Sequence, residues 1–236
     1  MAKSHTQRTF IVIALTLLQK IKYMKYLLLI MVLAINTFAI AQKKTKVNTL
    51  QLFEKIIVGN FTNEAQVAAE LAAGQLIHPR AKHINRVADS KIIGLPQTNI
   101  RTSFWVLEES YYEYPNKPVE VKPYLFNFAE GENNTIVLKV YQLPTTIDKK
   151  DIRNDNSNLQ FNYAALKPSP TFSGATYTYN KKTRSFTTSS THELGNGLTF
   201  TLTETLNTTQ LIVMELLTKA GKQLTPYSTP IIYDRQ

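Results

Sequence analysis

From Ser103 onward the chain alternates apolar and polar side chains with a period of two, run after run, and the links between runs are short. No other feature constrains the fold as strongly, because this alternation turns one side of a strand to a core and the other to water. "SFWVLEESYYEY", "VEVKPYLFNFAE" and "NTIVLKVYQL" form one series, broken only by the turn residues "PNKP" and "GENN". After the polar interruption "IDKKDIRNDNSNLQ" come "ATYTYNKKTRSFTTSS", a hairpin about "NKKT", then "GLTFTLTETL" and "QLIVMELL" joined through "NTT". The tail "TPIIYDRQ" supplies a last strand. Strands so spaced form an antiparallel meander, and closing it into a barrel removes the unpaired edges. The expected fold is mainly β, an antiparallel barrel behind two short helices.

The helices are "LQLFEKIIVG" and the alanine-rich segment after "GNFTNEAQ". In the second, Asn63 has the chemistry of an N-cap, with its side-chain oxygen accepting an orphan backbone N–H. Gln66 stands where a capping box places its amide, Glu64 puts a negative charge at the positive end of the helix, and Gly74 suits the stop. On this reading Asn63 to alanine costs about 1 kcal/mol.

Residues 1–41 read as outside the fold. From Met24 a short basic region at Lys25 leads into an apolar run and then Ala39-Ile40-Ala41, a small-residue cleavage signal before Gln42. The upstream piece reads as a mis-called start, with an N-terminal anchor as the rival. The expectation is a signal peptide, an exported protein in the periplasm or medium, and one domain over residues 42–236, long enough for a sizeable core. Of the 27 Lys and Arg, five fall in residues 1–41, and none of the 17 Asp and Glu does, so the net charge of +10 drops to +5 without that segment. The remaining bases are scattered apart from "KKTK" and "KKTR", which excludes a nucleic-acid stripe. With no cysteine there is no disulfide, thiol nucleophile or lipid attachment site.

The face assignments point to chemistry. Leu198, Phe200, Leu202 and Leu206 share a face, and Glu204 falls in step with them. Leu211, Val213 and Leu217 share another, with Glu215 in step. On the Ser103 strand one face reads Phe104, Val106, Glu108 and the other Trp105, Leu107, Glu109, so only one of the two neighbouring acids points inward. Tyr124, Phe126 and Phe128 share a face. Burying a carboxylate among apolar side chains costs several kcal/mol unless it is paired or protonated. Such an acid therefore has a partner, faces a ligand cavity, or lies beyond the buried part of its strand.

The chain resembles the T-type phycobilin chromophore lyases, the CpcT/CpeT family, over nearly all of residues 42–236. "LFEKIIVGNFTNEAQ" is similar to the family's opening, through Gly59, Phe61, Thr62, Asn63 and Gln66. Glu108 and Glu109 in "WVLEESY" stand where the family carries Glu-Gln. Pro123-Tyr124, Tyr141 with Leu143, Phe172 with Gly174, and Glu215 at a late acidic position follow in the family's order. The resemblance implies a calycin-like barrel that holds an open-chain tetrapyrrole, a bilin, in its mouth. It also implies lyase chemistry: an acceptor thiolate adds to the bilin's exocyclic ethylidene while Glu215, Glu108 or Glu109 protonates the conjugated system. The chain departs from the family at Leu125, Phe126 and Asn127, where members carry Arg-Gln-Arg, and at Leu216, Leu217 and Thr225-Pro226. Arginines are the natural forks for bilin propionates.

Three functions follow as expectations. The first is an exported binding barrel for a bilin-like or other apolar ligand, lined by Trp105, Tyr111, Tyr124, Phe126 and Tyr141 with Glu204 beside them, and without lyase activity. The second is a lyase attaching a bilin to a protein cysteine. The third is a structural or interaction domain packed solid. The expected partners are a small apolar or tetrapyrrole ligand, an acceptor protein under the lyase reading, and a second copy of the chain as a homodimer. No nucleic acid, stable membrane span, resident cofactor or metal is expected. His78 and His83 lie five apart without an acid at ligand spacing, and His192-Glu193 reads as a solvated turn. No phosphate-binding loop, nucleophile elbow or zinc-protease motif occurs.

Overall fold

The computed structural model describes residues 48–97 and 100–236, so the signal-peptide and cleavage reading lies outside the described residues. Helix α1 (Thr49–Ile57) leads into β1 (Gly59–Thr62), α2 (Glu64–Ala72) and β2 (Arg80–Val87). The long strands follow as β4 (Ser103–Glu113), β5 (Glu120–Glu130), β6 (Ile136–Tyr141), β8 (Gly174–Asn180), β9 (Ser185–Gly195), β10 (Leu198–Leu206), β11 (Gln210–Lys219) and β13 (Ile231–Arg235). Short β3 (Ile92–Ile93), β7 (Phe161–Asn162) and β12 (Lys222–Gln223) sit outside the main ring. The order β10-β9-β8-β6-β5-β4-β2-β1-β13-β11 returns to β10 through a β10–β11 pairing, which closes a ten-strand antiparallel barrel of calycin type. Two of its strands, β1 and β2, had no strand expectation. The second carries Ala81, His83 and Asn85 inward, a mostly polar inner face that hides the usual signature.

The inner faces match the expected alternation. Phe104, Val106, Phe128, Ile136, Leu138, Phe186, Leu202, Leu206, Leu211 and Val213 pack into one core. Helix α1, capped at its start by Asn48, lays its apolar face over one end of this core. Phe53 is fully buried there, with its ring centroid 4.9 Å from those of Phe128 and Phe186 and 5.0 Å from that of Tyr177. That end is closed by aromatic packing, a contact mode that favours tilted and edge-on pairs.

"GNFTNEAQ" corrects the capping expectation. Asn63 precedes α2 but makes no side-chain cap. Instead it is fully buried, its amide nitrogen donating to the Pro79 carbonyl at 2.8 Å and its oxygen accepting from the Ala81 N–H at 2.7 Å. Gln66 is no capping-box partner either; it accepts from the Ile232 N–H and donates to the Pro230 carbonyl. Both residues staple distant chain segments around β1. Gly74 does end the helical run, with φ +76.

A second, smaller core lies on the outer wall. Trp105, Leu107 and Leu125 face away from the barrel and are covered by Ile152, Leu159 and Phe161 from the 142–173 connection. This connection contains the expected polar interruption and carries two 3-10 turns, at Lys149–Asp151 and Tyr163–Ala165. Among the described residues no helix is long and apolar enough to cross a membrane.

Candidate functional site

The barrel is hollow toward the end opposite α1. A cavity of about 960 Å³ opens there, walled by Tyr112, Tyr124, Phe126, Phe200, Val213 and Tyr233 and carrying His83, Glu108, Glu204 and Glu215. It lies at the upper end of the range usual for small-molecule pockets. Tyr124 and Phe126 lie nearly parallel on the β5 wall, with centroids 5.8 Å apart.

The strand register places the four ionisable groups. On β2 and β4, His83 pairs with Ser110 and Asn85 with Glu108, so the imidazole and the carboxylate share the inner face. His83 Nδ1 lies 3.0 Å from Glu108 Oε1, and the Ser110 hydroxyl donates to the same oxygen at 2.7 Å while standing 3.0 Å from Nδ1. The imidazole edge meets the Tyr233 ring at 4.4 Å. Burial opposes the charge of His83, but Glu108, with smaller help from Glu215 and Glu204, more than offsets it and holds the imidazole above its ordinary value. Burial also opposes the charge of Glu108, and His83, Ser110 and Asn85 together hold the carboxyl below its ordinary value. The two form an internal ion pair.

Across the lumen, Glu204 stands opposite Val213 and Glu215 opposite Leu202 in the β10–β11 pairing. The two acids are therefore diagonal neighbours on one inward face. Burial pushes Glu204 up to about 7, against the pull of its hydrogen bond from the Tyr177 hydroxyl. Glu215 is also raised, by burial first and by Glu108, while His83 and Lys122 draw it down. Its side chain is enclosed by the wall, yet the residue is exposed because it looks onto the lumen. Tyr177, buried and facing Glu204, is held well above the ordinary tyrosine range and remains a donor.

Of the expected site residues, Glu108, Glu204, Glu215, Tyr124, Phe126 and Tyr141 border this cavity. Tyr141 does so only at the rim, with its ring 4.7 Å from Trp105 on the outer side. Three others are corrected. Trp105 belongs to the outer core, because its odd position on β4 points away from the lumen. Tyr111 and Glu109 share that outward face. Glu109 accepts from the Tyr111 hydroxyl and from the Asn154 backbone N–H, which pins the long connection to the wall. Glu109 thus touches no lumen group.

Sequence reasoning missed His83 as the partner of Glu108, and Tyr177 as the donor to Glu204. The signal for Tyr177 was present, since "ATYTYN" alternates clearly; that for His83 was masked by the polar inner face of β2. His192 is no solvated turn residue but part of β9, its ring edge-on to Phe172 at 4.8 Å. His78 packs away from the lumen on Glu70, with Nδ1 2.5 Å from the carboxylate. No group of three or more His, Asp or Glu among the described residues is placed to hold a metal ion.

Compared with protein-family models and with curated proteins, the chain matches none.

Proposed function

We propose that the protein is an exported binding barrel that holds one small, largely apolar molecule inside the β wall. The observation that carries this reading is the cavity of about 960 Å³, walled by aromatic rings and furnished with a few convergent polar groups. The hollow interior weighs against a solid structural domain. Absorption and fluorescence titrations of the purified protein test it with Nile red, a neutral dye, and with biliverdin and haemin. Binding of at least one is expected, and indifference to all three refutes the reading. Export rests on the signal at Met24–Ala41; a secreted product beginning at Gln42 supports it, and an intact N-terminus on cell-associated protein counts against it.

One observation favours a second reading, bilin transfer. Glu204, pushed up to about 7, would hold a proton inside the cavity near neutral pH. That proton would pass to the conjugated bilin as an acceptor thiolate adds to its ethylidene carbon. Against this, no arginine among the described residues lines the cavity to meet propionates. Incubation with phycocyanobilin, a bilin that carries the ethylidene, and a cysteine-bearing acceptor decides the matter, since covalent transfer leaves colour on the acceptor after denaturation.

A further inference from the structure

Among the described residues three carboxyl groups stand inside the lumen and a fourth, Glu120, at its mouth, and one base deep inside answers them. That base, His83, is committed to Glu108 at 3.0 Å. Glu204 takes a hydrogen bond from Tyr177, which satisfies an oxygen without cancelling charge. The Glu215 carboxylate makes no hydrogen bond or ion pair with a described side chain, and it looks onto the open space. Lys122 is the nearest rival cation. It sits at the mouth, held 3.3 Å from Glu120 and lying over the Tyr112 ring at 5.4 Å. Lys149 is also confined to the rim.

A second feature points the same way. The wall beside the two acids is formed by Tyr124, Phe126, Phe200 and Val213, none of which supplies a counter-charge, and His83 is committed to Glu108 with its Nε2 buried.

Building on the binding reading above, we propose that the occupant is an organic cation, a protonated amine on an apolar body, seated between Glu204 and Glu215. The body lies along Tyr124, Phe126 and Phe200, whose electron-rich faces suit a neighbouring cation. Inside this partly enclosed wall, an ammonium that pairs with these acids gains more than it would at the surface. An anionic ligand meets the same acids as repulsion.

The test uses three competitors with one alkyl chain and different heads, namely decylamine, decanol and decanoate, displacing Nile red from the whole protein near neutral pH. Decylamine is expected to displace the dye at concentrations about tenfold lower than decanol, with decanoate weakest. Glu215→Gln breaks no bond within the protein and removes most of the amine preference, read as the ratio of the decylamine and decanol midpoints. Glu204→Gln does the same, and circular dichroism confirms that both variants fold. Equal displacement by all three heads, or an amine preference that survives both substitutions, overturns the cation assignment and leaves the binding reading standing. Where Nile red does not bind, biliverdin or haemin serves as the displaced dye; failure of all three to bind the unmodified protein overturns the binding reading itself, and the cation with it.

Discussion

His83 Nδ1 stands 3.0 Å from Glu108 Oε1 inside the barrel, the shortest acid–base contact on the lumen wall among the described residues. Neither group is stable there alone. Removing one partner of such a pair typically costs about 3 kcal/mol or more, because the survivor is left uncompensated. Glu108→Ala and His83→Ala are each expected to lower unfolding free energy by about that amount in urea titrations. Losses well under about 1 kcal/mol would show the pair to be superfluous.

The same pair sets a pH window. His83 is raised in the folded protein, so its contribution is complete below its ordinary 6.5 and fades as pH climbs through the folded value. Glu108 is lowered, so its contribution is present above its ordinary 4.5 and fades as pH falls through the folded value. Together they stabilise most between those two ordinary values. Thermal melts of the unmodified protein and of a doubly substituted His83→Leu, Glu108→Leu variant should differ most in pH dependence outside that interval.

Glu204 runs the other way. Its folded-state value of about 7 lies above its ordinary 4.5, so burial favours the protonated form. Stability from this group is complete below 4.5 and is lost as pH rises toward 7. Glu204→Gln, which keeps an acceptor for Tyr177, should therefore gain melting temperature relative to the unmodified protein as pH rises through this range. A constant difference at every pH would assign the titration elsewhere.

Asn63→Ala is expected to cost about 3 kcal/mol rather than the roughly 1 kcal/mol of a lost cap, since it strands the Ala81 N–H and the Pro79 carbonyl in a buried place. Chemical denaturation separates the two values. The dye titration of the folded variant should be unchanged, because Asn63 does not line the cavity.

Phe53→Ala empties the aromatic cluster under α1 and should cost about 4 kcal/mol. The loss is read from the denaturation midpoint. A cost below about 1 kcal/mol would mean that the helix is a loose cover rather than a plug.

Most of the wall was legible before any coordinates. On β4, β5, β6, β10 and β11 most inward residues are apolar, with Glu108, Glu204 and Glu215 set among them, and period-two alternation reports that inner face directly. Where β2 turns His83 and Asn85 inward, the same rule falls silent, and the partner of Glu108 went unseen. Trp105 misled for the opposite reason. Both faces of β4 are buried, one by the lumen and one by the 142–173 connection, so hydrophobicity alone gives no inside or outside. Asn63 was misread because an asparagine before a helix has the same local sequence whether it caps or reaches a distant backbone. Glu204 and Glu215 were flagged because a carboxylate in step with leucines is costly wherever it ends up.

The C-terminal Arg235 forks back to the carbonyl oxygens of Ile56 and Val58 at the end of α1, and its strand supplies the seam between β1 and β11. The first and last described pieces of the chain thus complete each other. The ring cannot seal until β13 has been made and set between β1 and β11, so a polypeptide cut short before Ile231 would leave an unclosed, adhesive sheet rather than a slightly smaller barrel.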